Sequence, residues 1–233
     1  MTTVTTAPEA EYWLQTGRME EPAAELGIRK PVTVDRKANL HEHRAYWCVR
    51  RAQDIFFSLL ALIALSPLML LTCIAVWIDS PGASPVFSQL RVGRNGKLFR
   101  LYKFRSMCPN AESKLNDLLQ DNEMDGPVFK MKDDPRITRV GHFIRKTSID
   151  ELPQLVNILK GDMSVVGPRP QLVQDMLFMT PEQRRRHEVR PGLTGLAQVS
   201  GRNALAWERK LEKDLEYIQH ISFLLDVKIV FRT

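Results

Sequence analysis

Cysteine is scarce in this chain of 233 residues, and its three copies, Cys48, Cys73 and Cys108, lie far apart. No two form a CxxC knuckle and no histidine stands at metal-ligand spacing from them. Neither a zinc framework nor a disulfide framework is therefore expected, and the thiols read as reduced bystanders of a cytosolic compartment. The residues after Met1 lack an apolar h-region, which argues against a cleaved signal peptide. The first forty residues mix charges, carry Pro8 and Pro22 and show little apolar periodicity, so residues 1–45 are expected to form a polar, flexible tail. Internal repeats and low-complexity tracts are missing. So is any helix-turn-helix or stacking platform, and the net charge of +6 points to phospholipid headgroups or nucleotide phosphates, not nucleic acid. The length suits one domain with a real core plus appendages.

What is present begins with Ile55–Ile78 (IFFSLLALIALSPLMLLTCIAVWI), 24 residues without a charge. As a straight helix it would reach roughly 36 Å, enough for a hydrocarbon core of ~30 Å. A buried core helix is the competing account, but so long an apolar run leaves too little polar face. Pro67, in the middle, removes a backbone hydrogen bond, and the Ser66 hydroxyl can satisfy the carbonyl so freed. Arg44, Arg50 and Arg51 precede the run, and Arg91, Arg94 and Lys97 follow it. Positive charge on both sides favours the cytoplasm for both ends. A helix that enters, bends at Ser66-Pro67 and returns meets both constraints; the alternative is an ordinary kink in a spanning helix.

Downstream, two short runs flank Asn95-Gly96, a hairpin signal within Val86–Met107. Ala111–Asn122 reads as an amphipathic helix with Leu115, Leu118 and Leu119 inward. Ile149–Leu159 reads as another. Pro153 is tolerated only in a first turn, so this helix is expected to start near Ser148–Asp150 and to stop at Gly161. Leu172–Phe178 is a further helical stretch. Ala204–Phe223 shows a helical stripe with Leu205, Leu211, Leu215 and Ile218 on one face.

Asp150 and Glu151 sit side by side among Arg136, Arg139, Arg145, Lys146, Lys160 and Arg169. Such a pair can hold a metal, attack a phosphoryl group or form solvated ion pairs. Ser148-x-x-Glu151 also fits a capping box, and taken alone this is the preferred account. The neighbouring motifs widen the choice. Gly167-Pro168-Arg169-Pro170 is a stiff turn presenting one guanidinium, a bidentate partner for phosphate. Arg190-Pro191-Gly192-Leu193-Thr194-Gly195 offers a second arginine, and Lys103 with Arg105 a third basic point. Cations and two carboxylates together suit a polyphosphate substrate with Mg²⁺.

The ordered motifs KFRSM (103–107), DPRITRVGHFIRKTSIDELPQLVNILKGDMSVVGPRP (134–170), RRHEVRPGLTGLAQVSGRN (185–203) and DLEYI (214–218) resemble the bacterial sugar transferase family. Within it, the chain is similar to the small monotopic polyprenyl-phosphate phosphoglycosyl transferases, from about Tyr46 onward. The resemblance implies a mainly helical α+β fold: a re-entrant membrane helix broken at Ser66-Pro67, a small β-hairpin and amphipathic interfacial helices. It implies a membrane-inserted segment over 46–82 and a catalytic domain over 83–233 on the cytoplasmic face of the bacterial inner membrane.

The implied reaction moves a sugar-1-phosphate from a nucleotide-activated sugar, a UDP-sugar by expectation, to undecaprenyl phosphate. Asp150 would be the nucleophile toward the β-phosphate, and Glu151 a metal ligand or a base. Mg²⁺ would be held by both. Lys103, Arg105, Arg145, Arg169 (between Pro168 and Pro170), Arg190 and Asp214 would line the substrate region, Asp214 with the least defined role. Expected partners are the nucleotide sugar, the polyprenyl phosphate and membrane lipids, with a homodimer among the allowed assemblies and no nucleic acid. The product would feed exopolysaccharide, lipopolysaccharide or glycoprotein glycan synthesis. The chain departs from the family pattern at its N-terminus, which lacks the four spanning helices and extra domain of large members, and at Val230–Thr233, where many relatives continue through another apolar stretch. A different class of function, an inactive membrane-anchored scaffold for acidic lipid or partner proteins, has no need of the two carboxylates.

Overall fold

The computed structural model describes residues 44–111, 113–114, 131, 133–173, 175–176, 179–201 and 205–233. The N-terminal tail and almost all of the expected helix 111–122 lie outside them. In chain order the elements are helix α1 (Arg44–Asp79), strands β1 (Val86–Val92) and β2 (Leu98–Phe104), helix α2 (Arg139–Lys146), a 3-10 turn (Ile149–Glu151), helix α3 (Gln154–Lys160) and strand β3 (Ser164–Val166). A short helix α4 (Pro181–Arg184), a second 3-10 turn (Arg185–Glu188), strand β4 (Gly192–Thr194), the short helix α5 (Leu196–Val199) and helices α6 (Trp207–Gln219) and α7 (Phe223–Arg232) complete it. The expectation of a mainly helical α+β chain holds, with two two-stranded sheets.

Helix α1 has 36 residues, roughly 54 Å at 1.5 Å per residue. By length and composition it can cross a membrane. The core-helix alternative fails on exposure: Phe56, Leu60, Ile63, Leu71 and Ile78 are each more than half exposed. An open apolar surface of this extent marks contact with lipid or a partner. Pro67 lies inside the helix without ending it. The N–H that Pro67 lacks would have met the Ile63 carbonyl, and Ser66 Oγ donates to that carbonyl instead, at 2.8 Å.

The chain forms two compact units, to each of which α1 and the hairpin strands contribute. The first comprises residues 53–89 and 101–161. Its core is Val76, Phe104 and Ile144, with Met69, Cys73, Val140, Ile149 and Leu152 packed around them. Helix α2 starts where Thr138 Oγ1 accepts from Gly141 N at 3.0 Å, and Asp79 Oδ2 accepts from Val140 N at 3.2 Å. An oxygen acceptor and an anion at a helix N-terminus satisfy otherwise orphaned N–H groups. Pro153 directly precedes α3 and Gly161, at φ +90°, ends it, as the sequence predicts. Asn157, fully buried, accepts from Tyr102 N at 3.0 Å and ties β2 to α3.

The second unit comprises, among the described residues, 44–52 and those within 90–100 and 162–233. The expected turn is there: Asn95 (φ 55°, ψ 29°) and Gly96 (φ 79°) are both left-handed, and Lys97 N donates to Arg94 O at 3.2 Å. This is the mirror-image turn that suits the twist of a hairpin. Strands β3 and β4 pair in parallel, Ser164 opposite Gly192 and Val166 opposite Thr194. Val166, Val189, Tyr217, Ile218 and Ile229 form the core, with Trp47 and Leu196 against it. Arg50, counted above among the charges flanking the membrane segment, is buried here. It donates to Ser164 Oγ at 3.2 Å and to the Val166 carbonyl, and lies 3.6 Å from Asp226.

Two helix expectations in this unit need revision. The 204–223 stripe places Leu211 and Ile218 inward as expected, leaves Leu215 half-buried and adds Trp207, which the stripe did not include, but α6 stops at Gln219. Ser222 then starts a new helix by accepting from Leu225 N at 3.3 Å, a local bond that competes with helix continuation. The 172–178 stretch lies partly outside the described residues, and Asp175 and Met176 form a 3-10 turn.

His187 in this unit is buried. Burial first, then Arg186 and Arg184, holds its imidazole well below the usual range. Native His187 is therefore neutral while the unfolded chain takes up a proton near pH ~6.5. The stability it confers is present above that pH and falls as the pH drops below it, by up to about 1.4 kcal/mol per pH unit. Denaturant unfolding between pH 5 and 8 should lose this component of the slope in His187→Gln.

Candidate active site

The carboxylate pair sits on the 3-10 turn between α2 and α3. Ile149 and Leu152, on either side, pack on the core of the first unit and fix the turn. Ser148 enters it in the left-handed conformation, φ 58° and ψ 15°, and its side chain makes no cap bond. The capping box that the sequence suggests is not formed. Helix α2 ends just before, and a residue that must reverse the chain cannot also hold the extended geometry of an N-cap. The Glu151 carboxylate is thereby left for another partner.

That partner is Lys103, on β2. Its Nζ lies 2.8 Å from Glu151 Oε1 and 3.9 Å from Asp150 Oδ2. Asp150 is buried and Glu151 half-buried. One ammonium thus serves two adjacent carboxylates. Two oxygens converging on one cation are a donor set that also fits Mg²⁺, which takes one or two carboxylates and completes its shell with phosphate oxygens and water. Among the described residues no three His, Cys, Asp or Glu side chains gather to form a closed metal cage.

The other basic residues of the first unit divide. Arg105 Nε donates to Ser84 O at 2.7 Å and its guanidinium lies 5.7 Å from the Phe87 ring centroid. Arg136 is bound in a buried bidentate pair with Asp134, at 2.9 and 2.7 Å, which holds that carboxyl below its ordinary range. Arg145 is exposed in the last turn of α2.

In the second unit, the parallel strands bring the two arginine loops together. Pro168-Arg169-Pro170 follows β3 and Arg190-Pro191 precedes β4. Gly192 N donates to Pro168 O at 2.9 Å and Gly167 N to Thr194 O at 2.8 Å. A Cβ on Gly167 would lie 2.5 Å from Arg190 O, and one on Gly192 would fall on Gly167 N. Only glycine permits this approach. Pro168 and Pro170 are buried while Arg169 between them is exposed, and Arg190 is half-buried.

Asp214 stands behind this turn, not on its surface. It is 2% exposed, and its Oδ2 accepts from Arg186 Nε at 2.9 Å and Nη2 at 2.5 Å. Arg186 Nη2 also donates to Arg169 O at 2.8 Å. Burial raises the Asp214 pKa against the opposing pull of Arg186. The chain Asp214–Arg186–Arg169 carbonyl anchors the turn from inside. Sequence reasoning missed Arg186, one of three consecutive arginines. The available signal was Asp214 itself, on the same buried helix face as Trp207, Leu211 and Ile218, where a carboxylate requires an internal cation.

A family model described as bacterial sugar transferase matches residues 45–233. The chain belongs to the bacterial sugar transferase family. This sugar transferase is 52% identical over 157 residues to the galactosyl transferase CpsE of Streptococcus agalactiae, covering 67% of the chain and 35% of that protein. It is 45% identical to the uncharacterized sugar transferase EpsL of Bacillus subtilis, covering 79% of the chain and 85% of EpsL. With the undecaprenyl-phosphate galactose phosphotransferase of Salmonella typhimurium it shares 44% identity, over 79% of the chain and 39% of the relative. It thus spans little more than a third of the two large relatives and most of the small one. The 45–233 match contains every candidate site residue named above, as well as Ser66 and Pro67.

Proposed function

We propose that this sugar transferase moves a sugar-1-phosphate from a UDP-sugar to undecaprenyl phosphate, through a phosphosugar carried on Asp150. The observation that carries the reading is the Asp150–Glu151–Lys103 cluster: a buried carboxylate on a rigid turn, beside a second carboxylate and a shared ammonium. Asp150 Oδ attacks the β-phosphorus, the bond from that phosphorus to the bridging oxygen breaks, and UMP leaves with that oxygen. A phosphate oxygen of undecaprenyl phosphate then attacks the same phosphorus, the Asp150 carboxylate is released, and polyprenyl diphosphate sugar forms. Dividing one difficult transfer into two is the advantage of a covalent route.

Lys103 pairs with both carboxylates and neutralises phosphate charge. Asp150 and Glu151 would hold Mg²⁺, which would stabilise charge on the transferring group. Glu151 acts there as ligand or as base toward the lipid phosphate. Arg169 and Arg190, set by the joined loops, suit phosphate recognition, with Arg145 and Arg105 as further basic contacts.

The membrane reading rests on the exposed apolar face of α1. Both of its ends are packed within their own units, Arg50 on Ser164 and Val166, Asp79 on the start of α2. With Pro67 at its middle and basic residues before and after it, the helix is read as bending at Ser66-Pro67 and returning to the cytoplasmic face, with residues 83–233 working at the headgroup level. UMP release from a panel of UDP-sugars, with undecaprenyl phosphate present, tests the reading. One sugar is expected to react and excess EDTA to stop it. Absence of release from every nucleotide sugar would overturn the reading, and full activity in EDTA would remove the metal.

A further inference from the structure

One groove in the first unit has a volume of about 400 Å³, within the roughly 300–1,000 Å³ of small-molecule sites. Four elements wall it. Met69, Leu70 and Cys73 come from α1, Val86 from β1, Tyr102 from β2, and Val156 and Lys160 from α3. The lining is apolar except for the Tyr102 hydroxyl and the Lys160 ammonium. Lys160 Nζ donates to Tyr102 Oη at 3.0 Å and stands 4.7 Å from that ring's centroid.

The walls connect the groove to the chemistry. Pro153, which also lines the groove, stands two residues after Glu151, and α3 begins at Gln154. On its other side the groove opens along α1, where Leu70 is 63% exposed beside Leu71 and Ile74. A nucleotide or sugar finds few polar partners here. A ligand that fits is apolar at the end reaching α1 and anionic at the end reaching Lys160.

We propose that this groove seats the isoprenoid segment nearest the phosphate of a polyprenyl phosphate, so that the acceptor is recognised by its tail as well as its head. The inference rests on the transferase reading and adds to it a built seat for the lipid. The seat draws the acceptor out of the bulk lipid and orients its phosphate toward the Asp150 turn.

Cys73, half-buried in the α1 wall, reports occupancy without a mutation. The full chain in lipid nanodiscs is alkylated with N-ethylmaleimide, and the rates at Cys73, Cys48 and Cys108 are followed by peptide mass spectrometry. Geranylgeranyl phosphate at tenfold excess over its Kd should slow Cys73 alkylation roughly tenfold, leaving Cys48 and Cys108 unchanged. Val156→Trp, which fills the groove, should abolish the protection. Equal protection by phosphatidylglycerol would mean that the groove holds ordinary acyl chains, and no protection by either would mean that it holds no lipid tail; both overturn the proposal. Failure of the transferase reading is separable, because protection would then persist in a protein that releases no UMP.

Discussion

Asp150→Asn is expected to lower UMP release by at least about 10³-fold, the scale at which loss of a covalent nucleophile is felt. The substitution is isosteric, and Lys103 keeps its 2.8 Å contact with Glu151. The fold and membrane association should therefore survive, and the loss should lie in kcat. Acid-quenched wild type incubated with donor alone should carry a phosphosugar adduct on the peptide containing Asp150; the variant should carry none. Turnover close to wild type would remove Asp150 from the mechanism. Glu151→Gln then separates the roles left open for the second carboxylate. An adduct that forms but accumulates assigns Glu151 to the incoming lipid phosphate, whereas failure to form it assigns Glu151 to the first transfer.

Arg186→Leu is the second large effect. It leaves the Asp214 carboxylate buried without its counter-charge, and breaking one side of a buried pair costs about 3–5 kcal/mol. Asp214→Asn retains a hydrogen-bonding oxygen and should cost less, about 1–3 kcal/mol. In the double variant Arg186→Leu/Asp214→Leu much of the loss should return, since no buried charge remains. Denaturant unfolding in detergent measures all three. Activity should not follow stability: the double variant still lacks the bond to the Arg169 carbonyl, so its KM for the nucleotide sugar should stay raised. A recovered KM would limit the pair to a structural role.

Local chemistry was legible where one residue type satisfies one geometric demand. Asn95-Gly96 supplies two left-handed positions, Gly161 ends α3, and Ser66 answers the carbonyl that Pro67 leaves open. The run Ile55–Ile78 announced a helix with an open apolar face, because a soluble core of this size leaves no room for it. Sequence was misleading where the same local pattern serves two geometries. Ser148-x-x-Glu151 has the spacing of a cap, yet Ser148 is needed for a chain reversal, and Glu151 turns to a lysine 48 residues away. Arg50 looked like a flanking charge and is an internal strut. Long-range pairing was invisible for the same reason: nothing in Arg184-Arg185-Arg186 tells which guanidinium points inward, and only the packing of α6 decides it. The assembly of Gly167-Pro-Arg-Pro with Arg190-Pro-Gly depends on a parallel strand pairing that neither motif encodes alone.

The contact between Gly167, Gly192 and Gly195 leaves backbone against backbone, with no side-chain thickness between the loops. A side chain in that gap would have offered rotamers, and so a soft joint about which one loop could yield while the other stayed. Without it the two loops share a single stiffness. The backbones that carry Arg169 and Arg190 are cast in one piece, and a force that moves one loop must move the other. If the proposed two-step transfer holds, the adaptability to accept two chemically unlike substrates in turn would reside in the long side chains themselves.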